Sequence, residues 1–198
     1  MVLAYLKNIM SIKYISSLSL LFIFCIACND FQSSEKITIG KYALPNIDSL
    51  ITAQINGLNT KQVIKKVTLN DITESLNLVS DTSFWKSELS VFSELEINKN
   101  SLIGAYNTLS TGDFQLRFNR KVDENRGADI VKIKRSESGA LLQLSGNIRA
   151  VNYLYSSEQV LNLKFNKNSG LIENYSFSGF QKLISKDTVF FEIEGIVE

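Results

Sequence analysis

From Phe114 to the C-terminus the chain alternates apolar and polar residues with a period of two. Leu116 and Phe118 alternate with Arg117 and Asn119, and Val131 and Ile133 with Lys132 and Lys134. Leu142, Leu144, Gly146 and Ile148 alternate with Gln143, Ser145 and Asn147, and Leu161, Leu163 and Phe165 with Asn162 and Lys164. Tyr175 and Phe177 stand between Asn174, Ser176 and Ser178, and Val189, Phe191 and Ile193 are followed by Glu194 and Val197. Successive strand side chains point to opposite faces, so each run predicts a strand with one apolar and one polar side. Turn residues separate the runs at Asn125-Arg126-Gly127, Glu137-Ser138-Gly139, Asn168-Ser169-Gly170 and Ser185-Lys186-Asp187. The pattern predicts an antiparallel meander of about six strands with one face toward water.

The period differs before Phe114. After Pro45, the single proline, Ile47, Leu50, Ile51, Ile55 and Leu58 recur at helical spacing, and Gly57 marks a stop. Asp81 or Thr82 can cap a second helix carrying Phe84, Trp85, Leu89, Phe92 and Leu95, with Glu88 beside that stripe. Between them, Val63, Lys65, Val67 and Leu69 share one side of an extended segment. Asn70-Asp71 then suggests a turn into Ile72, Leu76 and Leu78, a hairpin. A one-faced sheet has to cover its apolar side. The expected fold is α+β: two N-terminal helices packed on one face of a curled antiparallel meander.

The first residues read differently. Lys7 and Lys13 precede an apolar run from Ile15 to Ala27, and a polar stretch from Asn29 to Lys36 follows. The run has about 13 residues, short of the roughly 20 a membrane-spanning helix takes, and the three-part layout is that of an export signal. Cys25-Ile26-Ala27-Cys28 resembles the lipobox of bacterial lipoproteins, with Cys25 where leucine is usual. The resemblance implies cleavage before Cys28 and acylation of its thiol. Residues 1–27 are then a signal peptide, 28–36 a lipidated tether and 37–198 one α+β domain. The expected location is the cell envelope, at the periplasmic side of the outer membrane with surface exposure left open.

Composition narrows the chemistry. Cys25 and Cys28 are the only cysteines, so the processed domain would hold neither thiol nor disulfide. Histidine is absent, which removes the commonest general base and transition-metal ligand. Loss of Lys7 and Lys13 leaves 19 basic against 20 acidic residues. That balance offers no basic footprint for nucleic acid, and no cofactor is expected. The acidic loop Asp123 to Asp129 places Gly127 where a calcium ligand would have to stand and Ala128 where the glycine belongs, and Arg126 brings in a cation, so it reads as an exposed hairpin loop. Glu192 and Glu194 share the polar side of their strand and are expected to face water.

Aromatic residues crowd the last strands. Tyr153, Tyr155, Tyr175, Phe177 and Phe180, with Trp85 on the second helix, are the expected ligand or partner contacts. Phe180 and Phe190 lie on the opposite parity from Phe177 and Phe191, which would put aromatic surface on the outer face and suit a protein partner.

The segment Trp85-Lys86-Ser87-Glu88-Leu89, with Phe92 and Glu96-Ile97-Asn98-Lys99, is similar to a motif of small lipoproteins of Bacteroidota. Tyr153-Leu154-Tyr155-Ser156, Tyr175 to Gln181 and Asp187 extend the likeness. It implies an envelope lipoprotein and carries no activity with it. The expected role is therefore non-enzymatic: a membrane-anchored module that binds another envelope protein or supports an assembly. The alternative is a binder of an apolar small molecule or lipid, held in a cleft between helices and sheet.

Overall fold

The computed structural model describes residues 44–198. The signal-like segment, Cys28 and the tether lie outside the described residues. Those described form a mixed α+β fold with two α-helices and one nine-stranded antiparallel sheet.

Helix α1 (Ile47–Gly57) starts at Asn46, whose side chain accepts from the Ser49 amide at 2.7 Å. A second acceptor comes from far along the chain: the buried carboxylate of Glu96 takes the Ile47 amide at 2.6 Å. Free amides and the dipole both favour a negative group at a helix start. Helix α2 (Thr82–Leu89) is capped by Asp81, which accepts from the Phe84 amide. It tightens into a 3-10 segment (Ser90–Leu95), and Trp85, Leu89, Phe92 and Leu95 are all fully buried across the junction.

The strands are β1 (Gln62–Leu69), β2 (Ile72–Val79), β3 (Tyr106–Gly112), β4 (Gln115–Arg120) and β5 (Ile130–Arg135). There follow β6 (Leu141–Val151), β7 (Tyr155–Phe165), β8 (Ile172–Leu183) and β9 (Val189–Val197). Their spatial order is β2-β1-β9-β8-β7-β6-β5-β4-β3. The count of six is corrected to nine. The β1–β2 hairpin joins the sheet because β1 pairs along β9, Val63 opposite Val197 and Leu69 opposite Phe191. Strand β3 adds the other edge. It buries only Tyr106 fully, so it lacks the apolar alternation that marks an inner strand.

Register sorts the side chains into cross-strand rows. One row on the helix-facing side runs Lys65, Gly195, Tyr175, Leu163, Leu144, Ile133, Leu116. Its neighbour runs Val67, Ile193, Phe177, Leu161, Gly146, Val131, Phe118. Helix α2 and its 3-10 extension meet these rows through rings. Trp85 stands edge-on to Tyr175 at 5.8 Å between centroids, and Phe92 edge-on to Phe177 at 6.3 Å. Leu95 fits over Gly146, where a β-carbon would collide with it. Each such side chain stabilises the fold by about 1.5–3 kcal/mol relative to leaving it in water.

Candidate functional site

Among the described residues, a group of polar side chains in the helix–sheet interface centres on Glu88. This carboxylate on α2 pairs with Lys65 of β1 and accepts from the Tyr175 hydroxyl of β8 at 2.9 Å. Lys65 also lies 5.8 Å from the centre of the Phe84 ring. Tyr175 is fully buried; burial first, then the Glu88 charge, pushes its hydroxyl well above the ordinary tyrosine range. It therefore stays protonated and serves Glu88 as a donor. The adjacent Trp85 indole donates to the Leu58 carbonyl and to Ser80 Oγ, both at 2.8 Å. Every polar atom in this group faces another, and the rings of Phe84, Trp85 and Tyr175 surround it. The arrangement is that of an interior brace.

The sequence carried a signal for this brace. Lys65 interrupts the apolar side of β1, between Val63 and Val67, and Glu88 sits one helical turn from Trp85. Two opposite charges on apolar stripes of different elements point to burial together. Only the fold shows that they meet each other and Tyr175.

The aromatic positions singled out in the sequence do not form one site. Trp85 and Tyr175 are core residues, and Phe177 is half-buried against Phe92. Side chains fill the helix–sheet space at these three positions. Phe180 lies on the opposite face, directly across from Phe190, with ring centres 6.3 Å apart and planes tilted by 54°. Phe190 is exposed and Phe180 half-buried. Tyr153 is 85% exposed in the β6–β7 turn, and Tyr155 is half-buried at the start of β7.

The outer face is broad and polar. A row across it reads Ser75, Lys66, Glu194, Ser176, Asn162, Ser145, Lys132, Arg117. A shallow groove of about 300 Å³ lies over this row and its neighbour, lined by Lys66, Lys164, Glu194, Asn162, Asn174 and Ile196. Glu192 and Glu194 are both exposed there.

The acidic loop between β4 and β5 is closed by ion pairs. Glu124 takes two hydrogen bonds from the Arg126 guanidinium, at 3.0 and 2.9 Å, and those bonds hold its carboxyl down at about 2. Arg120 pairs with Asp129. Tyr106 donates to the Ala128 carbonyl at 2.7 Å, and burial pushes its hydroxyl up to about 12. Among the described residues no group of three or more acidic side chains converges as a metal site would require. None of the described helices is long and apolar enough to cross a membrane.

No protein-family model matches the chain, and neither the curated proteins nor the solved structures contain a match to it.

Proposed function

We propose that the protein is a lipid-anchored component of the bacterial cell envelope, attached through Cys28, whose domain binds another envelope protein and performs no catalysis. The anchor is supported by the basic start, the short apolar run and the Ile26-Ala27-Cys28 sequence. Two or more acyl chains hold a protein on a membrane stably, where one binds marginally. Binding is favoured over catalysis because the buried ionisable groups Glu88, Lys65 and Tyr175 are engaged with one another.

The observation that carries the partner surface is the Phe180–Phe190 pair on the outer face. Two rings in strand register, one of them 57% exposed, project from a rigid sheet amid polar side chains. Rigid aromatic anchors with a polar surround are the usual composition of a protein-binding hot spot. Photo-crosslinking from position 178, two residues along β8 on the same face, tests it in cells. The expected result is one reproducible adduct that disappears when Phe180 and Phe190 are both serine. Absence of the adduct, or its persistence in that variant, overturns the assignment. Incorporation of a palmitate analogue by the wild type and its loss in Cys28→Ala test the anchor separately.

A further inference from the structure

Three turns converge at one end of the sheet: β1–β2 at Asn70-Asp71, β6–β7 at Asn152 to Leu154, and β8–β9 at Ile184 to Thr188. Nine of the seventeen exposed large apolar side chains among the described residues lie in or beside these three turns. The most prominent are Tyr153 at 85%, Ile72 at 69%, Val151 at 62% and Ile184 at 61% exposed. A soluble monomer does not gather such surface without use.

The turns are tied to one another and to themselves. The Asn70 amide donates to the Phe190 carbonyl at 2.8 Å, and the Phe190 amide to the Asn70 side chain at 2.9 Å. The Ile184 amide donates to the Leu154 carbonyl at 3.1 Å, joining the second and third turns. Within the β6–β7 turn, the Asn152 amide donates to Tyr155 and the Leu154 amide to the Asn152 side chain. Several of the backbone amides beneath the exposed apolar tips are therefore already satisfied. A low-dielectric surroundings demands that state, since lipid offers no replacement hydrogen bond.

We propose that this end of the sheet rests in the interfacial layer of a lipid bilayer. Tyrosine with aliphatic neighbours suits that layer, and Arg149, Lys182 and Lys186 at the same end can extend their charges to headgroups while their stems stay apolar. Asp71 and Asp187 at the turn crests confine the contact to headgroup depth. Reach is sufficient. The 16 residue-to-residue steps from Cys28 to Leu44 span up to roughly 55 Å when extended, while the longest strand, 12 residues, measures about 40 Å. The identity of the membrane rests on the Cys28 reading; the contact itself does not.

The test uses the full chain with Cys25 and Cys28 as alanine and one new cysteine, at Tyr153 or, at the opposite end of the sheet, at Asn168. Each is mixed with phosphatidylcholine vesicles containing phosphatidylglycerol, and reaction with a membrane-impermeant maleimide is timed. The expected result is a several-fold slowing at position 153 only when vesicles are present, and no change at 168. Equal rates at 153 with and without vesicles overturn the proposal, as does failure of the chain to float with them. Protection of both positions overturns it too, because the contact then has no preferred end. Protection at 153 that grows with protein concentration in the absence of lipid overturns it in favour of a second copy. None of these outcomes depends on acylation, so loss of palmitate incorporation would fail the anchor without touching this contact.

Discussion

Gly195 faces Tyr175 directly across the β8–β9 ladder, and the tyrosine ring fills the space where a side chain on residue 195 would stand. A β-carbon there would fall inside the ring, against carbons and the hydroxyl alike. Gly195 is thus the floor of the slot that holds Tyr175 under Trp85 and against Glu88.

Gly195→Ala should destabilise the domain by about 1–3 kcal/mol, the cost of overpacking a core that cannot yield. The same change in a Tyr175→Leu background should cost less, because the clash is with the ring. Urea denaturation of the two singles and the double reads this coupling. Equal costs in both backgrounds would show that the ring is not what the methyl meets.

Removing one member of the Glu88 brace should be worse than removing all of it. Glu88→Ala leaves a part-buried Lys65 and a buried Tyr175 hydroxyl without their partner, for about 3–5 kcal/mol. The triple change Lys65→Met, Glu88→Leu, Tyr175→Phe leaves no orphan and should be the more stable of the two variants. Thermal and urea midpoints decide the order.

The two buried tyrosines predict an alkaline limit. A hydroxyl whose folded pKa is raised binds its proton more tightly in the folded state. Its contribution is complete below the ordinary tyrosine value of 10.0 and is lost as pH rises toward the folded value, about 12 for Tyr106 and higher for Tyr175. Stability should hold near neutrality and fall above about pH 10. In the ultraviolet phenolate titration, Tyr106 and Tyr175 should ionise only as the chain unfolds. Tyr106→Phe with Tyr175→Phe should weaken the alkaline loss.

Gln54 joins α1 to the β7–β8 turn. It donates to the Gly170 carbonyl at 3.0 Å and accepts from the Ile172 amide at 2.8 Å, and it is buried. Gln54→Ala should cost about 1–3 kcal/mol by leaving both backbone groups unpaired. Faster hydrogen exchange at Ile172 would accompany the loss.

The residue pattern by itself determined the strands from β4 to β9, because each buries one face and a period of two is the only way a strand can do that. It also determined the β1–β2 hairpin, and the turns at Gly127, Gly139 and Gly170, where positive φ favours glycine. It placed Phe180 and Phe190 opposite Phe177 and Phe191 for the same reason of parity. Strand β3 left no such trace, since an edge strand with most residues in water needs no alternation. Tertiary structure alone decided that the first strand lies along the last, pairing Lys65 with Gly195 across 130 positions of sequence. It alone showed that Trp85 and Tyr175 are buried in the core while Tyr153 stands exposed at a turn, because strand grammar says which side a ring takes but not what covers that side. The meeting of Glu88, Lys65 and Tyr175 was decided there too: each charge left a mark on its own stripe, but only long-range packing brings three stripes together.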